Sequence, residues 1–407
     1  DVPVIRTYLL AGDAAQDKYD QYLDRCRKWM DKQNDDRHAR EWLLGIAPLP
    51  GQATGGLIGA GRVEEAIAQA TAWSTQAPGE VLPRLMLLHT LKATRRSADM
   101  VELCRANLSA AQKPQEKVAA LQTLTEAYLA AKQYDRAIAT GKELTTAAAK
   151  ITEQDLSFTL DSMTLSILTQ AKRYDDAIAH ANKLLGDLTE REGRLKQLAG
   201  GENADATQKL QLAKAQEKLR EQRADVLRGL SFVYSRQNRR DMTIDSLRQA
   251  LALAPNDPGI NNDLGYSLAD GGIDLDQAER MLRLAVGEVL WNGVGEDDRQ
   301  AAFMDSLGWL YYKRGRFNDA AQWLELGTKM EGGQDPTIHD HLADAQWRVG
   351  RFETAKKNWE IALKLQEKQV SEGKTDRDDK QVAAVKAKLA EAARTGGKPA
   401  VATATAD

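Results

Sequence analysis

The chain has 407 residues, with 56 Lys and Arg against 59 Asp and Glu, and so a formal charge of −3. That balance argues against a nucleic-acid or anionic-membrane binder held by bulk charge, because such proteins need a basic surplus to displace counterions. Hydrophobic residues at 42 % suffice for a packed core, and 28 % charged residues without long blocks exclude wholesale disorder.

Only 10 Pro and a heavy load of Ala, Leu, Gln, Lys and Glu favour helix nearly everywhere, so the expected class is all-α. Cys26 and Cys104 lie far apart with no CxxC spacing, and neither a disulfide framework nor a Cys-based zinc site is indicated. No stretch approaches the roughly 18 consecutive apolar residues that span a bilayer. Because the chain opens on Asp1 rather than Met, it reads as a processed form or an excised piece, and its compartment is not legible.

Taken in order, residues 1–46 read as two or three helices forming an N-terminal cap or worn repeat, with Trp29 and Trp42 as apolar anchors. From 47 to 189 come segments such as "AAKQYDRAIA" and "QAKRYDDAIA", near-copies centred on Ala137 and Ala177, with "GAGRVEEAIA" centred on Ala66. Residues 190–223 are dense in charge and broken by Gly200-Gly201, which reads as a helical hairpin made by extending two neighbouring helices; a non-standard extra repeat is the competing reading. Between 224 and 369 the segment "DSLGWLYYKRGRFNDAAQWLELG" from Asp305 recurs 35 residues later as "DHLADAQWRVGRFETAKKNWEIA". Leu307 then matches Leu342, Gly315 matches Gly350, Phe317 matches Phe352 and Ala320 matches Ala355. "WNGVGEDDRQ" reads as an added loop, 370–393 as a charged linker and a helix from about Gln381, and 394–407 as a disordered tail.

The marker positions 66, 100, 137, 177, 243, 278, 320 and 355 are separated by 34, 37, 40, 66, 35, 42 and 35 residues. This pattern resembles the tetratricopeptide repeat (TPR) family, whose unit of about 34 residues is a helical hairpin with Leu-Gly and Tyr in helix A and Ala in helix B. Leu307, Gly308 and Tyr311 stand at the helix A places, and Ala320 and Leu324 at the helix B places. Leu264, Gly265, Leu268 and Ala278 mark another unit, and Leu230, Tyr234, Leu247, Ala250 and Pro255 the one before it. The resemblance implies a right-handed superhelical solenoid of four units over 47–189 and four over 224–369, with the 190–223 hairpin projecting from it. Asp257-Pro258 and Asp335-Pro336 support the register, each placing an N-cap carboxylate ahead of a proline at the first helical position.

Chemistry-bearing motifs are weak. "GQATGGLIGAG" from Gly51 to Gly61 lacks the strand and the Gly-Lys-Ser/Thr of a phosphate loop and reads instead as a glycine-tolerant helix A with its turn. His339 and His341 are two apart on a helix and point about 200° apart, so they cannot share one metal ion unaided. No nucleophile, base and orienter can be named; no catalytic residue, cofactor or metal is expected, and the chain is not read as an enzyme.

Binding is the better expectation, because the resemblance implies a concave face lined by helix A. At its outward positions stand Arg228, Phe232, Asn262, Tyr266, Asp305, Trp309, Tyr312, Asp340, Asp344, Trp347 and Arg348. Rings alternating with carboxylates, amides and guanidinium groups suit a protein or peptide partner. Packing between crowded repeats is the rival account of Trp309, Tyr312 and Trp347, whereas Trp323 and Trp359 on helix B belong to the core. The clamp for acidic chaperone tails is not matched, since its places hold Arg228, Phe232, Asp263, Thr337 and His341. RNA binding would need a basic groove, which Asp305, Asp340 and Asp344 oppose. The expected role is a non-catalytic protein-interaction scaffold, with self-association through the 190–223 hairpin as a second surface and no membrane insertion. A regulatory or targeting module of a larger enzyme or assembly machine is the alternative. The C-terminal repeats are similar to those of bacterial TPR proteins, some of them envelope-associated, which tilts the expected location slightly toward a bacterial envelope or periplasm.

Overall fold

The computed structural model describes residues 2–32, 37–47, 55–77, 80–151, 157–199, 206–291, 299–330, 332–371 and 379–395. Among these every regular element is a helix, none of them long and apolar enough to cross a membrane. Residues 1–167 form one compact unit and 168–407 another. The first contains α1 (Val2–Ala15), α2 (Tyr19–Lys32), α3 (Arg37–Leu44), α4 (Gly56–Gly59), α5 (Val63–Gln76), α6 (Val81–Ala93), α7 (Ser97–Ala110), α8 (Pro114–Ala130), α9 (Tyr134–Ala148) and most of α10 (Ser157–Gln170). The second holds α11 (Tyr174–Ala199), α12 (Ala206–Arg236), α13 (Arg240–Leu253), α14 (Pro258–Gly271), α15 (Leu275–Trp291), α16 (Gln300–Lys313), α17 (Phe317–Gly327), α18 (Pro336–Arg348), α19 (Phe352–Ser371) and α20 (Asp379–Thr395).

From α5 onward every second helix carries its repeat marker at the fourth residue: Ala66, Met100, Ala137, Ala177, Thr243, Ala278, Ala320 and Ala355. All eight are buried, and in the α14–α15 and α16–α17 hairpins the preceding helix crosses at the marker. The approach is closest where helix A supplies glycine. A Cβ on Gly265 would lie 2.7 Å from Leu282 Cγ, and one on Gly308 would lie 2.6 Å from Leu324 Cγ. In both hairpins, beyond that leucine, the nearest obstacle is a marker carbonyl, that of Ala278 or Ala320, at 3.3 Å.

The turns between paired helices repeat as well. In seven of the eight hairpins one residue at positive φ stands two before helix B: Gly61, Arg95, Lys132, Lys172, Asn238, Gly315 or Gly350; the turn before α15 instead has Gly272 and Asp274 at positive φ. The following amide then reaches back across the turn, as Gln133 N does to Tyr128 O at 2.8 Å and Arg316 N to Tyr311 O at 2.9 Å. Such a left-handed residue with its long back-bond closes a helix C-terminus and reverses the chain within three residues. The two aspartates ahead of proline act as N-caps: Asp257 accepts from Ile260 N and Asp335 from Thr337 N, both at 2.7 Å.

In the first unit, one cluster of buried side chains runs from Leu10, Tyr22 and Trp42 through Trp73, Met86 and Leu91 to Tyr128 and Ile167. Trp29 and Trp42 meet edge to face at 5.9 Å. The described part of the glycine-rich stretch is a single helical turn, α4, rather than a full helix A; Gly51 to Thr54 lie outside the described residues. In the second unit the main cluster runs from Ile244 through Leu264, Leu282 and Leu307 to Leu342 and Ala345. The helices α11 and α12 are 26 and 31 residues long, against 14 for α13 and α14. They pack through buried Leu188 and Leu219 and an ion pair from Arg223 to Glu192 at 2.5 Å. The Gly200-Gly201 break, the loop at 292–298, the linker at 372–378 and the tail from 396 lie outside the described residues.

Candidate functional site

In the second unit α14, α16 and α18 lie side by side, and bonds between residues about one repeat apart join them to α12 and α20. Arg228 Nε on α12 donates to Asp263 on α14 at 2.6 Å. Trp309 Nε1 on α16 donates to Asp270 on α14 at 3.3 Å, and Lys313 Nζ reaches the Asp270 carbonyl at 3.0 Å. His341 on α18 meets Asp305 on α16 at 2.8 Å, and Lys388 on α20 reaches Asp340 and Asp344 of α18 at 2.7 and 2.8 Å. These separations hold because equivalent positions of successive hairpins face the same way.

Of the eleven residues expected to line a groove, the structure places nine along this strip, with very different freedom. Phe232 is 59 % exposed, one turn beyond Arg228 on α12. Asn262 is buried, and Tyr266 one turn on is half-buried. Burial, with Asp270 and Asp305 nearby, pushes the Tyr266 hydroxyl well above its usual range, so it is neutral. Trp309 stacks on Tyr312 at 4.9 Å and on His341 at 4.0 Å, while Lys313 Nζ lies 5.1 Å from its ring centroid. Both rings are half-buried.

The acids are largely committed to internal partners. Asp305 is buried against His341. Burial pulls the His341 imidazole down, but the Asp305 carboxylate and its hydrogen bond, with Asp340 and Asp344 behind, outweigh that and hold it above its ordinary value. Asp340 and Asp344 are covered by α20. For Asp344 burial raises the carboxyl despite Lys388 and the Trp359 Nε1 bond at 3.1 Å. Lys388 is lowered by burial and raised more by the two carboxylates, so it stays charged. Trp347 sits off the strip, edge to face with Phe352 at 4.8 Å and 5.5 Å from Trp359, in the small core that α20 closes with Val385 and Ala392. Arg348 is exposed but lies over the Phe317 ring at 4.0 Å, toward the turns. Trp359 is buried and Trp323 partly so.

Four strip residues are missing from the groove positions expected from the sequence. Asp270 and Lys313 follow Tyr266 and Trp309 by one helical turn, so extending each stripe once more would have found them. Asp263 announces itself only through Arg228, and Lys388 sits on a helix outside the repeat register. His339 bonds Asn358 at 2.8 Å, away from His341, and among the described residues no acid, His and Cys cluster could hold a metal.

Eight buried markers on alternate helices, left-handed turns at one offset in seven hairpins and a strip of equivalent positions at repeat spacing decide the architecture. The fold is of the tetratricopeptide-repeat type. Solved structures similar to this chain include a tetratricopeptide repeat protein from Parabacteroides merdae, 13 % identical over 81 % of this chain and 98 % of that one, with a TM-score of 0.43. BtubC (BKLC) from P. vanneervenii is 16 % identical over 60 % and 90 %, with a TM-score of 0.40. PilW, a type IV pilus biogenesis factor, is 15 % identical over 58 % and 94 %, with a TM-score of 0.37. No protein-family model matches the chain, and no curated protein gives a significant match.

Proposed function

We propose that this chain is a non-catalytic protein-interaction scaffold that binds a segment of a partner protein along the strip on α12, α14 and α16. The observation that carries this reading is the combination of exposed Phe232, Arg228 and the stacked Trp309 and Tyr312 on one face of neighbouring helices. Large rings give contact area at low entropic cost, and the polar groups among them match main-chain amides. The carboxylates of Asp263, Asp270 and Asp305 oppose a polyanionic ligand, so protein is favoured over nucleic acid. Because α20 already covers Asp340, Asp344 and Trp347, the accessible part of the strip ends near Tyr312.

Site-specific photocrosslinking in the native cell tests this. A benzophenone side chain at position 232 is expected to trap a discrete partner, and one at Glu353, exposed on α19, to trap none. Equal trapping from both positions overturns the assignment. A second contact surface is proposed on the α11 and α12 extension, where Leu210 is 57 % exposed. An isolated apolar side chain on a charged arm suits self-association, and Leu210→Asp should then reduce the mass seen in light scattering without loss of helicity; an unchanged mass refutes it.

A further inference from the structure

Following α19, the helix α20 takes the place of a further helix A, with no helix B after it among the described residues. Gln381 Nε2 meets Thr337 Oγ1 at 3.5 Å, and Lys388 Nζ meets Asp340 and Asp344 at 2.7 and 2.8 Å, so α20 runs parallel to α18. Its sequence, DKQVAAVKAKLAEAART, has none of the glycine or tyrosine of the repeat. Its apolar hold is slight. Val385 and Ala392 are the only buried side chains among its described residues. With Leu389 at the margin they join Ala343, Ala355 and Trp359 in a cluster separate from the main one.

What α20 mainly supplies is charge, and it supplies less than the site can take. Asp340 and Asp344 lie one turn apart on α18, with side chains 12 and 13 % exposed, and Lys388 is the one cation paired with either among the described residues. Asp305 on α16 adds a third carboxylate nearby, whose partner is His341. Burial and the neighbouring Asp340 keep the Asp344 carboxyl raised even with Lys388 in place. Two buried carboxylates sharing one ammonium are incompletely compensated, and charges interact more strongly there than in water. A helix bringing a second cation therefore matches this face better than α20 does. Ala384 marks where that cation belongs: it is exposed and stands four residues before Lys388, one turn back toward Asp340.

We propose that α20 is an exchangeable occupant of the face formed by α18 and α19, and that the partner replacing it is an amphipathic helix with two cationic side chains four residues apart beside small apolar ones. One cation pairs with Asp340 and the other with Asp344, while the apolar residues take the places of Val385 and Ala392 against Trp359. The same carboxylates repel an acidic segment. This goes beyond the contact proposed on α12, α14 and α16, because it concerns the end of the strip that the chain itself covers.

The probe is the α20 segment itself, residues 379–395, as a labelled peptide in its native form and with Ala384→Arg. Each is titrated onto the intact chain by fluorescence anisotropy, while amide exchange of the resident α20 is followed by mass spectrometry. The Ala384→Arg peptide should bind about tenfold tighter than the native one or more, and exchange in the resident α20 should rise as it binds. Asp340→Asn with Asp344→Asn in the chain should abolish that preference. Lys388→Met in the chain, which weakens the resident helix alone, should tighten both peptides. Binding that leaves the exchange of α20 unchanged overturns the replacement, since the peptide then sits elsewhere. Equal affinity of the two peptides overturns the two-cation match. Absence of binding even to the Lys388→Met chain overturns the proposal outright and makes α20 a permanent cap. None of these outcomes bears on crosslinking from position 232, so the two surfaces stand or fall separately.

Discussion

Replacing Gly308 by Ala isolates the close approach on which each hairpin depends. In an open helix that change is favourable by about 1 kcal/mol, since alanine loses less backbone entropy than glycine. At Gly308 the new methyl would sit 2.6 Å from Leu324 Cγ and 3.3 Å from the Ala320 carbonyl. Cγ is a branch point rather than a mobile tip, and Leu324 is fully buried, so it cannot swing into solvent. Overpacking of this kind costs about 1–3 kcal/mol, giving a net loss of up to about 2 kcal/mol. The same change at Gly287 on α15, where nothing lies within 4 Å, keeps the propensity gain alone. The two variants should therefore move in opposite directions, separated by about 1–3 kcal/mol. Because two compact units need not unfold together, amide exchange in α16 and α17 under mild urea is the proper readout. Stabilisation of Gly308→Ala equal to that of Gly287→Ala would show that the glycine is not there to let the helices meet.

Lys132→Gly should stabilise the first unit by about 0.5–1 kcal/mol in thermal melts, because Lys132 holds φ at 55°, where a Cβ is strained; a loss would mean its side chain makes a contact that outweighs the strain. His341 has its folded pKa raised, so its contribution is complete below its ordinary value of about 6.5 and is lost as pH rises through the folded value. The fluorescence of Trp309, stacked on that imidazole, should follow the same titration, and Asp305→Asn should move it to lower pH; no movement would break the link. Lys388→Met strips Asp340 and Asp344 of their cation and should loosen α20 by about 2 kcal/mol, seen as faster exchange in α20 and partly rescued by adding Asp344→Asn; unchanged exchange would mean that the apolar contacts of Val385 and Ala392 hold α20 alone.

The fold was readable from the chain because its determinants are local and recur. Ala320 and Ala355 must be small where two helices cross, Gly315 and Gly350 must turn the chain, and Phe317 and Phe352 open the next helix, all within one short window. Such a pattern survives in the one-dimensional record because every unit solves the same packing problem with the same residue sizes. Arg95, Lys132, Lys172 and Asn238 hide the turn signal from a search for glycine, although their backbone does what Gly315 does.

The strip was only half readable, for the complementary reason. Helical spacing says which side chains share a face, so Tyr266 and Trp309 could be named; it says nothing of what meets them from a helix 30 to 50 residues away. Asp305, Asp340 and Asp344 look like ligand-seeking acids in a stripe, yet each acquires its partner, His341 or Lys388, from the helix two elements on. Trp347 shares that stripe and is drawn off it by Phe352 and Trp359 in its own hairpin. What separates a binding residue from a structural one here is whether its hydrogen-bonding capacity is spent, and that depends on the neighbouring repeat.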